Sequence, residues 1–122
     1  MNEQDLVVSV RVSLAGTPAV KEIKMFGGIG FMLNDNLLVA ASSRGLLVRV
    51  GKDAQREALR RPGASPMIMR GRSMAGYLRV DAAALDQRAV AAWVHLARNF
   101  VQTLPTKKPP LKMKRSKAKR TR

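Results

Sequence analysis

Apolar and polar positions alternate in short blocks through the first half of this chain. Residues 20–25 interleave Val20, Ile23 and Met25 with Lys21, Glu22 and Lys24, the imperfect period of two that an edge strand carries. Beyond Gly27-Gly28 an apolar run resumes as Ile29-Gly30-Phe31-Met32-Leu33 and turns at Asn34-Asp35-Asn36. It returns as Leu37-Leu38-Val39-Ala40-Ala41, turns again over residues 42–45, and returns once more as Leu46-Leu47-Val48-Arg49-Val50. Short runs of this kind, parted by three- and four-residue loops of Gly, Asn, Asp and Ser, predict an antiparallel meander. The remainder of the chain is expected to pack on that meander or hang from it.

Upstream, residues 3–15 fit two templates. Leu6-Val7-Val8-Ser9-Val10-Arg11-Val12-Ser13 is β-branched and partly alternating, which favours a strand. Leu6, Val10 and Leu14 also recur at helical spacing, with Glu3 and Asp5 where a helix N-terminus favours acids. Gly16-Thr17-Pro18 ends the segment either way.

Downstream of Gly51, Asp53 is expected to cap a short helix over 54–61 with Ala54, Ala58 and Leu59 as its narrow apolar face, and Pro62-Gly63 ends it. Pro66 starts a strand over 67–70, and Gly71-Arg72-Ser73 turns it into another over 74–80. Asp86 is the best N-cap for the last element. There Val90, Trp93, Val94, Ala97, Phe100, Val101 and Leu104 fall three or four apart, predicting a long helix that covers the sheet, with Trp93 as its largest anchor. There is no internal repeat.

Several of these segments resemble one family, in the same order. Met25-Phe26-Gly27-Gly28, Phe31-Met32-Leu33-Asn34-Asp35-Asn36-Leu37 and Leu46-Leu47-Val48-Arg49-Val50-Gly51 are similar to the N-terminal domain of the TfoX (Sxy) competence regulators. The likeness continues through Pro62-Gly63-Ala64-Ser65-Pro66-Met67, Gly71-Arg72-Ser73-Met74-Ala75-Gly76-Tyr77, Val80-Asp81 and Trp93-Val94 to Leu104-Pro105, covering residues 3–108. It implies that residues 3–15 are helical. The implied architecture is α+β in two layers: an antiparallel sheet of about five or six strands, an N-terminal helix, a short mid-chain helix and a long C-terminal helix. That fold is secretion-chaperone-like, a class that often pairs through its sheet, so the resemblance also implies a homodimer. Full-length regulators carry a second, helical domain. Here the expectation is a stand-alone domain over residues 1–105 followed by a basic tail.

Charge sharpens that division. The 122 residues carry a formal net charge of +15, and residues 106–122 hold nine Lys or Arg and no acid. What remains on residues 1–105 is 14 basic against eight acidic residues, a net +6. The tail, TKKPPLKMKRSKAKRTR, has Pro109-Pro110 to block a helix and almost nothing apolar, so it is expected to be disordered. Lys107, Lys108, Lys112, Lys114, Arg115, Lys117, Lys119, Arg120 and Arg122 are the candidate contacts to an anionic partner, DNA or RNA first, an acidic protein or membrane surface second. The acidic N-terminus is unlike a secretory signal and no apolar run approaches a membrane span, so a cytoplasmic protein is expected.

Catalytic chemistry is poorly supplied, and the chain is expected to be a non-enzyme with no cofactor and no metal. There is no cysteine, His95 is the only histidine, and the eight acids are scattered without paired spacing. Gly27-Gly28-Ile29-Gly30 lacks the third glycine opening a helix that a dinucleotide fingerprint needs, and the Gly-Lys-Ser/Thr ending of a phosphate loop. Those glycines are expected to permit a bulge or close strand packing. Ser42, Ser43 and Ser73 belong to turns. Alternation puts Arg49 on one sheet face, and Tyr77 with Arg79; if the long helix covers the opposite face, these three and Arg70 form a secondary nucleic-acid candidate. Met67, Met69 and Met74 invite a flexible protein-binding groove, though methionine in strands is more commonly core filler.

Overall fold

Leu6, Val7, Val10 and Leu14 are all buried, and this shared face makes the N-terminal segment a helix, α1 (Glu3–Leu14), in place of the strand its β-branched composition favours. Asn2 caps it, its Oδ1 accepting from the Asp5 amide at 2.7 Å. The computed structural model describes residues 1–25 and 27–105. The basic tail, with its nine candidate contacts and its expected disorder, lies outside the described residues.

Six strands form one antiparallel sheet: β1 (Val20–Met25), β2 (Gly28–Leu33), β3 (Asn36–Ser42), β4 (Gly45–Arg49), β5 (Ala64–Met69) and β6 (Arg72–Asp81), in the order β1-β2-β3-β4-β6-β5. The first four are the meander read from the sequence. The β5–β6 hairpin then docks with β6 against β4, which leaves β5 on the outer edge. Gly28 and Gly30 lie where strands approach closely: a Cβ on the first would strike the Ala41 carbonyl and one on the second the Met25 sulfur. The glycine cluster is packing, as expected.

Two local readings need correction. The short helix α2 is Lys52–Ala58, starting two residues and ending three residues earlier than predicted, and its N-cap is Gly51, without a side-chain capping bond. Asp53 therefore sits inside the first turn, because Gly51 reaches φ 86 and turns the chain before Asp53 can cap it. The β5–β6 turn falls at Arg70-Gly71, both in the left-handed region (φ 53 and 77), so Arg72 and Ser73 belong to β6 and β5 starts back at Ala64.

Helix α3 (Gln87–Val101) follows a 3-10 turn, and its cap is Asp86, whose Oδ1 accepts from the Ala89 amide at 2.8 Å. Val90, Trp93, Val94, Ala97 and Val101 pack with Leu6 and Val10 of α1 onto Phe31, Leu38, Val39, Leu46, Val48, Leu78 and Val80. This is the main core. A second, smaller cluster occupies the opposite sheet face: Leu37, Ala40, Leu47 and Met67 are buried there, flanked by Met25, Met32, Met69, Met74 and Tyr77. No helix residue joins it. The sheet screens these side chains with its own methionines.

Two irregularities bring that cluster together. The β5–β6 register shifts between Pro66 and Ile68, and Gly76 in β6 takes φ 86, its carbonyl accepting from both Val50 (2.9 Å) and Gly51 (3.0 Å). The phase of alternation slips at Gly76, so Met74 and Tyr77, three residues apart, both pack on the helix-free face.

Candidate functional site

Arg49 is the last residue of β4 and stands opposite Tyr77 in the β4–β6 ladder. Its guanidinium carbon lies 5.4 Å from the Tyr77 ring centroid and 5.7 Å from that of Phe100 on α3. Both distances are within cation–π range. Phe100 reaches this position because Gly51 has no side chain; a Cβ there would meet the ring at 2.5 Å. Between the end of β4, the first turn of α2 and the C-terminal half of α3 a cavity of about 540 Å³ opens, with Arg49, Lys52, Ala75, Tyr77, Leu96 and Phe100 in its wall. Gln55 fixes one side of it. Its Oε1 accepts from the Gly76 amide at 2.9 Å and its Nε2 donates to the Tyr77 carbonyl at 3.1 Å.

Arg79 lies two ladder positions further, opposite Leu47, with Nη2 3.3 Å from the Met67 sulfur. Partial burial, and secondarily the charge of Arg44, hold its pKa below the ordinary arginine value. Arg44 occupies the β3–β4 turn, Arg70 the β5–β6 turn, and Arg72 stands opposite Met69. Among the described residues the ion pairs are Arg11–Glu22 at 2.8 Å and Lys21–Asp35 at 3.2 Å. None of Arg44, Arg49, Arg70, Arg72 and Arg79 has a carboxylate partner there.

Of the four secondary candidates, Arg49, Tyr77 and Arg79 thus come together on alternate positions of the β4–β6 ladder, with the Arg49 guanidinium reaching Phe100 of α3. Arg70 does not join them on a strand; it sits at the hairpin tip. Arg44 and Arg72 carried no sequence signal as site residues. Phe100 packs against the main core, as its helical spacing predicts, and its ring also borders the cavity because Gly51 leaves room for it. Met67 is buried inside the second cluster, and Met69 and Met74 pack on it partly exposed.

Ser42 and His95 have local structural partners. The Ser42 hydroxyl accepts from the Arg44 amide at 3.3 Å within its turn, and exposed His95 lies 3.3 Å from the Asn99 amide nitrogen. Among the described residues no three of His, Cys, Asp and Glu group as metal ligands, and no helix is long and apolar enough to cross a membrane.

The model of one protein family, the TfoX N-terminal domain, matches residues 13–101. Searches of curated proteins and of solved structures found no match.

Proposed function

The chain belongs to the TfoX N-terminal domain family, and from that premise we propose a non-enzymatic, cytoplasmic regulatory or accessory protein that engages nucleic acid electrostatically. One observation carries the reading: five arginines, Arg44, Arg49, Arg70, Arg72 and Arg79, lie along β4, β6 and the turns that flank them without carboxylate partners among the described residues. Unneutralised cations on a domain of net +6 raise the local concentration of polyanions. The nine basic residues of 106–122 add to the same field. If half of those nine met phosphates, log affinity would fall with log salt at a slope of roughly −4. Such contacts position a protein on nucleic acid without reading its bases. Family likeness supplies the setting, transcription or competence regulation.

Fluorescence anisotropy on labelled duplex DNA, single-stranded DNA and RNA tests this, comparing the full chain with residues 1–105 across a salt series. The expected result is binding that weakens steeply with salt and loses most of its slope with the tail. Equal slopes would move the interface onto the arginines of the sheet. No binding by either form would end the nucleic-acid reading.

The methionine-lined sheet face favours a second reading, a protein adaptor or chaperone-like homodimer, because flexible, polarisable side chains suit a protein contact. Sedimentation of the full chain over a range of concentrations separates monomer from dimer. On this reading nucleic acid leaves the association unchanged.

A further inference from the structure

We propose that the cavity between β4, α2 and α3 binds a small organic anion with an apolar body, a medium-chain or aryl carboxylate, whose carboxylate is received by Arg49. This goes beyond the polyanion reading and does not depend on it. A nucleic-acid backbone is a string of charges that needs an open track, whereas this is a single recess.

Size and lining come first. A volume of about 540 Å³ falls within the span that small-molecule sites occupy, roughly 300–1,000 Å³. Val50, Ala54, Leu96, Phe100 and the Tyr77 ring give it an apolar wall. An apolar recess on a water-exposed surface favours the burial of a hydrocarbon or aryl body.

The polar group is placed to orient such a body. Arg49 is half-buried, it takes part in neither of the two ion pairs, and its guanidinium is held by rings. No side-chain hydrogen bond among the described residues engages Arg49, which leaves its N–H donors, whose fork matches the two oxygens of a carboxylate. The other charges in the wall are Lys52 and Asp53, so with Arg49 the mouth is net cationic. Asp53 forms no ion pair with Arg49. The walls are also fixed in advance: the Gln55 bonds hold the bulge at Gly76, and the Gly51–Phe100 contact sets the ring. A recess whose walls are already ordered loses little conformational freedom when filled.

Octanoate is the probe, titrated into the full chain by calorimetry with amide shifts recorded by NMR; octanol and inorganic phosphate supply the body and the anion separately. One saturable site is expected, with shifts at Gly51, Lys52, Ala75 and Asn99, and much weaker binding of either control. Arg49→Gln should weaken octanoate by about tenfold, the loss of a charge-assisted hydrogen bond. Ala75→Phe, at an exposed wall position, should block the recess while the circular dichroism melt stays unchanged. The proposal fails if octanol binds as well as octanoate, or if neither variant alters affinity. It also fails if the shifts gather around Leu47 and Met67, or if no saturable binding appears up to about 1 mM.

Discussion

Arg49 and Tyr77 are direct cross-strand partners, and the guanidinium carbon of one lies 5.4 Å from the ring centre of the other. A half-buried stack of this type contributes about 1 kcal/mol. Tyr77→Leu keeps the apolar body and removes the π face. Its unfolding free energy should drop by that amount, seen as a lower urea midpoint at an unchanged m-value, and the amide signal of Arg49 should broaden or shift.

Gly51 should tolerate no side chain. At φ 86 an L-residue is strained, and its Cβ would strike Phe100. Gly51→Ala is expected to cost about 1–3 kcal/mol from the backbone alone. Chemical denaturation measures it, and an unchanged midpoint would mean that the β4–α2 turn is differently built.

Arg79 should set stability against binding. It is partly desolvated, it feels the Arg44 charge, and it has no carboxylate partner among the described residues. Arg79→Met places a thioether beside Met67 and removes the repulsion. The melting temperature should hold or rise while affinity for a duplex falls and the salt slope becomes shallower. A fall in both would make Arg79 a structural residue.

Glu22 should give a small pH-dependent contribution. The hydrogen bond from Arg11 is the main cause that holds its carboxyl below the usual 4.5, burial opposes, and the Arg11 charge assists. A carboxylate whose pKa is lower folded than unfolded stabilises the fold above its unfolded value, and that gain disappears as pH falls through the folded value. Glu22→Gln should therefore melt slightly below the parent at neutral pH. The two curves should converge well below pH 4.5. The pair is exposed, so added salt should narrow the gap.

Ser9 is buried on α1 with an Oγ that has no hydrogen-bond partner among the described residues. Ser9→Ala removes an unsatisfied hydroxyl and raises helix propensity, so a gain of about 1 kcal/mol is expected. Thermal melts check it; a loss would point to a water or partner group on that hydroxyl.

Much of the sheet was legible because its signals are local. Asn34-Asp35-Asn36 and the residues 42–45 mark turns whatever surrounds them, and Asp86 precedes a helix whose apolar spacing is clean. The N-terminal helix was one of two open readings, since Leu6, Val10 and Leu14 fall at helical spacing, and family likeness decided it. Val8 and Val12, exposed in α1, supplied the β-branched alternation that suggested a strand, while the Asn2 cap went unread. At the candidate site, alternation grouped Tyr77 with Arg79 correctly, but it gave no warning that Met74 joins them. That needs the slip of phase at Gly76, a backbone event that a period of two does not encode. The cavity depends on Phe100 meeting Gly51, residues 49 positions apart in the chain, and no local pattern links them.

The ladder between β4 and β6 ends at Arg49 opposite Tyr77, whereas β6 runs back to Arg72 and pairs there with Met69. Beyond Tyr77 the hairpin leaves the β4 ladder, its base clamped by the bonds to Val50, Gly51 and Gln55 while Met69 and Met74 pack back on the second cluster. The Arg70-Gly71 tip lies beyond that packing. Residues inserted at the tip would move no helix, which makes it the natural place for relatives to diverge in reach and for a grafted sequence to be displayed.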